Sequence, residues 1–451
     1  MFWLSTDAPR VRTVRSAHSG GTAPDARWIP PPLPVPIIPQ RTGYSRSVIR
    51  VVGLTARGWA DLPEPERAIV REAPLVIGAG RLLDLVSLSP GQRAVEFPKP
   101  LRPGLHRLLA DPDRDEVVVL ASGDPLLSGI ATTLLEEFGS DRVRVHPAVS
   151  SVALARARMG WPAECAETVS VVGRPVDRVR RLLAPGVRLV VLSADRHTPA
   201  ALAALLVDAG YGASTMAVLG DLGSPDESSV SGLARGWCAD VPQLNVVCVE
   251  CTPDRGATTY GWTSGLPDEA FEHDGQLTKR DVRAAVLARL APRPGELLWD
   301  LGAGAGSVAI EWCRAHPSCA AVAVERDADR VERIRRNAAR LGVPELRVVG
   351  ADTALAETFD GLPAPHAVFV GGGADAELLD RAWAALPAGG RLVVAAVTIE
   401  TEQLLVSRQD RLGGELIRIS VQQVEPLGRY RGWRPARPVV LWAVGKDEEM
   451  S

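Results

Sequence analysis

The sequence predicts an α/β protein built from two successive series of buried strands, the second closing into a seven-stranded doubly wound sheet. Three observations carry that prediction. Short apolar runs alternate with helix-length stretches, the pattern of strands covered on both faces. The rhythm breaks across Thr252–Asp274, where Pro, Gly, Asp, Thr and aromatic residues follow no period. An Asp-x-Gly-x-Gly-x-Gly loop joins a strand to a helix in the second series.

Composition bounds the function. The 451 residues carry 51 Lys+Arg against 54 Asp+Glu, a net charge of −3. That balance argues against a dedicated nucleic-acid binder, which carries a basic domain. Hydrophobic residues make up 46%, enough for packed cores in two to four lobes. No apolar run reaches the roughly 18 residues of a membrane helix. Six cysteines in so long a chain do not make a disulfide scaffold. A reducing, cytoplasmic setting is therefore expected. The seven histidines show no metal-ligand spacing, so no metal is expected.

Residues 1–47 are unlike the rest. Six prolines fall within Pro30–Pro39, and Arg10, Arg12 and Arg15 sit among Ser, Thr and Gly with no apolar stretch behind them. This is read as a disordered tail without a secretory signal. Order is expected from Val48, whose run to Gly53 is the first strand, followed by a helix across Pro65–Glu72. Further strands are expected at Leu75–Ile77, Val117–Leu120, Val143–Val145, Val169–Val172, Leu189–Leu192, Met216–Leu219 and Leu244–Val249. The first domain thus spans 48–252, a linker 253–273, and a second domain 274–447. Its strands are Glu296–Asp300, Ala320–Glu325, Leu346–Val349, Ala367–Val370 and Arg391–Val397, closed by a hairpin of Glu415–Val424 with Val439–Val444.

The glycine loop runs Asp300-Leu301-Gly302-Ala303-Gly304-Ala305-Gly306, and a helix opens at Ser307. Glu325 ends the next strand, where an acid suits the two hydroxyls of an unmodified ribose. A dinucleotide fingerprint spaces its glycines G-x-G-x-x-G; here the third comes one residue early. Asp300 would repel a pyrophosphate but could pair with a methionine ammonium. S-adenosylmethionine (SAM) is favoured, with a nicotinamide or flavin the lesser alternative. Asp352, with Thr353 beside it, is placed to meet an adenine amino group, or else to cap the following helix.

The fourth strand of this domain ends in Gly371-Gly372-Gly373, which leaves open space suited to a bulky planar substrate. The cluster from Arg429 to Arg437 packs arginines around aromatics. It could read a polycarboxylate, with Arg434 the candidate, or be a solvated hairpin loop. Glu311, on the helix after the glycine loop, could face the substrate or be a paired acid. Cys248 and Cys251, on one apolar strand, read as structural.

In the first domain, Val118-Val119-Leu120-Ala121-Ser122-Gly123-Asp124-Pro125 is a buried strand running into a turn. It is preceded by Val51-Val52-Gly53 and followed by His146-Pro147-Ala148-Val149-Ser150-Ser151 and Val171-Val172-Gly173-Arg174. These stretches, in this order, resemble the tetrapyrrole methylase family, in the branch acting late in cobalamin biosynthesis. The second domain resembles that pathway's methyltransferase and decarboxylase through Leu277-Thr278-Lys279-Arg280-Asp281-Val282-Arg283, the glycine loop, Ser307–Trp312 and Gly371–Gly373.

The resemblance implies a two-lobed first domain and a Rossmann-like second domain, each with one SAM. It implies a reduced tetrapyrrole substrate, precorrin-6B, methylated at C5 and C15 and decarboxylated at its C12 acetate to give precorrin-8. It places Gly53, Gly123, Asp124, Pro125, Ser150 and Ser151 at the first SAM and Thr278 near the carboxylate of the second. It also implies a homo-oligomer. Where relatives carry Gly-x-Gly after the first strand, this chain has Gly53-Leu54-Thr55; where they carry His-Gly-Arg, it has Val172-Gly173-Arg174. Those differences keep a rival reading in view, a single-site methyltransferase whose first domain only docks substrate.

Overall fold

The computed structural model describes residues 48–109, 116–353 and 356–447. The expected tail, residues 1–47, lies outside the described residues. The first sheet comprises β1 (Ile49–Leu54), β2 (Leu75–Gly78), β3 (Arg93–Glu96), β4 (Val117–Ser122) and β5 (Val143–His146). It is wholly parallel, in the order β3-β2-β4-β1-β5. Period-two alternation sends Ile49, Val51, Ile77 and Val119 to one core and Val52, Leu54, Val76, Val118 and Leu120 to the other. Helices α1 (Glu64–Glu72), α2 (Gly80–Leu83), α3 (Leu101–Leu109) and α4 (Ile130–Phe138) connect these strands.

After α5 (Ser151–Met159), the second lobe holds β6 (Glu167–Ser170), β7 (Arg188–Leu192), α6 (Thr198–Asp208), β8 (Thr215–Gly220), β9 (Ser228–Leu233) and β10 (Asn245–Glu250). Its order is β6-β7-β10-β8-β9, and only the β6–β7 pair is parallel. The strand expected at Val169–Val172 stops at Ser170, and Gly173, at φ +66°, turns the chain. Edge strands β3 and β9 carried no apolar signal, because they are mostly exposed. Cys248 and Cys251 enter different cores, and burial pushes both thiols up to about 12.

The third sheet is the expected seven-stranded one. Its strands are β11 (Leu297–Leu301), β12 (Ala320–Glu325), β13 (Arg347–Gly350), β14 (Ala367–Val370), β15 (Arg391–Ala396), β16 (Glu415–Ile419) and, last in the chain, β19 (Val439–Gly445). The order is β13-β12-β11-β14-β15-β19-β16, with β19 antiparallel to both neighbours. Helices α7 (Arg280–Leu290), α8 (Ser307–Ala315), α9 (Ala328–Arg340), α10 (Ala376–Ala385) and α11 (Ile399–Leu412) cover its faces. The run expected as one strand over Glu415–Val424 divides. Its second part, β17 (Gln422–Leu427), pairs with β18 (Tyr430–Pro435) as a separate ribbon around a turn at Gly428. No helix among the described residues is long and apolar enough to cross a membrane.

The stretch expected as a linker differs most. Leu266, Ala270 and Phe271 are buried in the same core as Trp312 and Ile334. An ion pair holds them there. Arg283, fully buried on α7, donates from Nε to Glu311 Oε1 on α8 at 2.6 Å. Its other nitrogens donate to the carbonyls of Leu266 and Thr278, and its guanidinium lies 4.7 Å from the Phe271 ring. Glu311 accepts the amides of Gly265 at 2.6 Å and Leu266 at 3.0 Å. Buried charges persist only when paired and hydrogen-bonded on all sides, and here the incoming backbone supplies the remaining partners.

The same segment and the loop between α9 and β13 tie this domain to the second lobe. Trp262 Nε1 donates to the Arg181 carbonyl at 3.0 Å, and Arg178 pairs with Glu345 at 3.3 Å. Gly342 sits where a Cβ would fall 2.3 Å from Arg181 N. A Glu311→Gln variant leaves Arg283 buried without its closest counter-charge. Its cost is expected to be about 3–5 kcal/mol in urea unfolding of the second domain. Arg434→Gln, which touches only an exposed pair with Glu425, is expected to leave the midpoint unchanged.

Candidate active site

The tips of β11, β12, β14 and β15 open into a cavity of about 1430 Å³. The glycine loop forms its floor, and each glycine is required for a different reason. All three hold positive φ, at +71° for Gly302, +59° for Gly304 and +75° for Gly306. A Cβ on Gly302 would meet Gly372 O at 2.9 Å, and one on Gly304 would meet Gln276 O at 3.0 Å. One on Gly306 would meet Ile334 Cγ2 at 2.7 Å, so this third glycine serves packing between helices. Gly302 and Ala303 line the cavity with Gly304, whereas Ala305 is buried beneath it and Gly306 does not reach it.

Three carboxylates stand at the strand tips. Glu325 accepts the Gly304 amide at 2.8 Å and the Asp327 amide at 3.1 Å, which fixes its rotamer at the cavity wall. Asp300 is 1% exposed; Oδ2 accepts the Ala309 amide at 3.0 Å, while Oδ1 is buried without a partner among the described residues. Burial, reinforced by the Glu325 charge, pushes the Asp300 pKa up to about 7. Asp352 lines the wall with Thr353 and lies 3.9 Å from Arg326. Thr278 also lines the cavity; it is not a helix cap, since Lys279 holds that position. Gly371, Gly372 and Gly373 complete the floor, and a Cβ on Gly372 or Gly373 would meet nothing within 4 Å.

Neither side chain singled out for catalysis reaches the cavity. Glu311 is engaged by Arg283 and two amides, and Arg434 is exposed on the ribbon, paired with Glu425. Arg437, Gln423, Lys279 and Arg280 line it instead. Composition pointed to the arginine cluster; which member faces inward is decided by the return of the chain from β18 to β19. Trp299 and Trp312 are buried packing residues.

In the first domain, distant motifs converge at the tips of β1, β4 and β5. A Cβ on Gly53 would fall 2.1 Å from Gly123 O and 2.7 Å from Ala148 N. Gly123, at φ +56°, donates to Leu54 O at 2.7 Å and packs against Ser150. Polar side chains here are used locally: Asp124 accepts the Leu126 amide before the turn closes past Pro125, and Ser150 caps α5 through the Ala153 amide. Ser151 is the first residue of that helix. Thr55 donates to Asp61 at 2.7 Å, and Val172 is 53% exposed.

A tetrapyrrole methylase fold thus precedes a Rossmann-like methyltransferase. Family models agree: "Tetrapyrrole (Corrin/Porphyrin) Methylases" matches residues 48–236 and "Precorrin methyltransferase domain" matches 269–446. A precorrin-6Y C(5,15)-methyltransferase [decarboxylating] of Mycobacterium tuberculosis (strain CDC 1551 / Oshkosh) is 45% identical over 405 residues, 88% of this chain and 100% of that protein. One from Sinorhizobium sp is 42% identical over 397 residues, covering 88% and 95%. The solved C-terminal domain of the Rhodobacter capsulatus precorrin-6Y C5,15-methyltransferase is 46% identical, covering 42% of this chain and 100% of that one, with a TM-score of 0.40. The chain belongs to the precorrin-6Y C(5,15)-methyltransferase (decarboxylating) family.

The raised Asp300 pKa has a signed consequence. The folded, ligand-free protein holds this proton up to about pH 7, whereas the unfolded chain releases it near 3.8. Asp300 therefore subtracts stability as pH rises between those values, by up to about 1.4 kcal/mol per pH unit. Asp300→Asn, which keeps an acceptor for Ala309, is expected to abolish that slope. The check is the urea midpoint of variant and wild type from pH 4 to 8, whose difference should grow in favour of the variant.

Proposed function

We propose that this protein methylates the reduced tetrapyrrole precorrin-6B at C5 and C15 and removes the C12 acetate carboxylate as CO2, yielding precorrin-8 in cobalamin biosynthesis. SAM is the methyl donor for both transfers. The first domain, 48–252, carries C5 methylation; the second carries C15 methylation and decarboxylation. The second domain is extended back to about Gly265, because Glu311 and Arg283 bind that segment into its core. One observation carries the reading: a cavity of about 1430 Å³ exceeds the roughly 300–1,000 Å³ of ordinary ligand pockets and so has room for a cofactor and a macrocycle together.

The residues present fit SAM. The buried Oδ1 of Asp300, unpartnered among the described residues, is available to an ammonium, and Glu325 presents a fixed carboxylate to a ribose. Asp352 and Thr353 are assigned to the adenine, Thr278 to the methionine carboxylate, and Gly302, Ala303 and Gly304 to close backbone approach. In the first domain the corresponding work falls to the backbone of Gly53, Gly123, Asp124, Pro125, Ser150 and Ser151. Ala305 and Gly306 support the loop from below.

Bound SAM supplies an electrophilic methyl group. The meso carbons of a reduced tetrapyrrole are enamine-like and already nucleophilic, so the protein's main task is alignment. Gly371–Gly373 let the macrocycle lie close to the sulfonium without a side chain between. Loss of the acetate carboxylate passes its electron pair into the conjugated ring system, and a proton taken up at the remaining carbon leaves a methyl group.

The setting proposed is cytoplasmic, with no nucleic-acid partner, in keeping with the near-balanced charge. A homo-oligomer is proposed because the β17–β18 ribbon exposes apolar side chains on both of its faces, the pair Val424 and Trp433 on one and the pair Leu427 and Tyr430 on the other.

With methyl-deuterated SAM, precorrin-6B should gain two labelled methyls and lose one CO2, read by mass spectrometry. Gly372→Val should fit the ligand-free fold, since its Cβ position is open, but intrude on the macrocycle. CO2 release is expected to fall at least about 100-fold while SAM binding persists. Unchanged CO2 release would remove decarboxylation from this cavity.

A further inference from the structure

The cavity of the second domain is lined by charges of both signs, with Asp268, Glu269 and Asp281 near the start of α7 and Arg326 and Arg330 near the strand tips among them. Asp300, Glu325 and Asp352 occupy the strand-tip wall, where a cationic cofactor is proposed to lie. Lys279 and Arg280 at the start of α7, and Arg437 on the connection from β18 to β19, line other parts of the same cavity. Lys279 lies 3.5 Å from Asp268. Arg280 and Arg437 make no ion pair among the described residues, and both are exposed at the rim.

Arg437 is held by its backbone rather than by a side-chain partner. Ala436 N donates to Val421 O at 2.9 Å, immediately before it. Pro435 and Pro438 flank the pair, which restricts the backbone to extended conformations. The guanidinium is thereby carried on a fixed stem, and its five donors meet no acceptor among the described residues. Gln423 lines the cavity from the facing strand of the ribbon.

We propose that Arg437 and Arg280 form a carboxylate clamp that grips peripheral acetate or propionate groups of the tetrapyrrole and sets its rotation in the cavity. This rests on the tetrapyrrole reading above. Planar forks suit bidentate carboxylate binding, and two separated forks fix orientation where one would leave the ring free to turn. The clamp must hold carboxylates other than the one that is lost, because an arginine pair on that group stabilises it as the anion and opposes CO2 release. The reacting acetate is thereby directed toward the uncharged floor of Gly371–Gly373 and the apolar wall of Phe369, Ala395 and Val397.

The test uses the full chain with Arg437→Gln, Arg280→Gln, the double variant, Arg437→Lys, and Arg434→Gln as control. Each single Gln variant is expected to raise KM for the tetrapyrrole about tenfold or more, with SAM affinity unchanged and the double variant worse than either. Arg437→Lys should restore part of the loss, and Arg434→Gln should match wild type. Binding of uroporphyrin, an octacarboxylate, is read in parallel by fluorescence quenching and should weaken in the same order. Wild-type KM and wild-type uroporphyrin affinity in both Gln variants would overturn the clamp while leaving the function intact. Loss of SAM affinity instead of tetrapyrrole affinity would also overturn it. An inactive wild type whose uroporphyrin binding still depends on both arginines would overturn the proposed reaction and leave the clamp standing.

Discussion

The buried pair of Arg283 and Glu311 organises the second domain. Taking two charges out of water costs several kcal/mol per ion, so the pair is tolerable only if every polar atom finds a partner. Those partners are backbone groups of Gly265, Leu266 and Thr278. The charges therefore draw residues 265–278 down onto α7 and α8. That path carries Gln276 over Gly304 and brings Thr278, Lys279 and Arg280 to the cavity. Asp274 holds the outer turn through Arg330 and Arg333 on α9, at 2.8 and 3.0 Å. A segment without periodicity becomes a wall of the active site because two charges elsewhere require its amides and carbonyls.

The two domains meet the same ligand requirement by different chemistry. In the first, the strand tips approach so closely that Gly53 and Gly123 admit no side chain, and nearby polar side chains are spent on turns and caps. What remains for a ligand is main chain. In the second, the loop amides are themselves occupied: Gly302 and Ala303 both donate to Val324 O at 3.0 Å, and Gly304 donates to Glu325. What remains there is a set of carboxylates. The cavity thus offers buried or fixed carboxylates at the strand tips and the exposed guanidinium groups of Arg280 and Arg437 elsewhere in its lining.

The central strands were legible because a sheet covered on both faces demands uninterrupted apolar runs, and Val118–Leu120 or Val322–Val324 can be little else. Two of the edge strands were not, since Arg93–Glu96 and Ser228–Leu233 are mostly exposed, whereas the edges at Val143–His146 and Arg347–Gly350 kept enough apolar residues to be read. That Asp300, Glu325 and Asp352 line one cavity follows from their places at successive strand ends, which the order of the strands in the sequence already suggested. For Glu311 the sequence left two readings open, because an acid one turn past a ligand loop looks the same whether it points to a cavity or to a buried arginine 28 positions earlier; the structure shows the paired acid. Arg434 and Arg437 are likewise indistinguishable until the ribbon is built; pairing of β17 with β18 puts Arg434 beside Glu425 and leaves Arg437 past the end of the ribbon.

Two unlike SAM sites on one chain are the centre of this account. Calorimetric titration of the full-length protein with SAM counts them directly. Two equivalents per chain are expected, of which Asp300→Asn weakens one and leaves the other. A single equivalent that disappears in Asp300→Asn would contradict the account, reducing the first domain to a module that docks substrate.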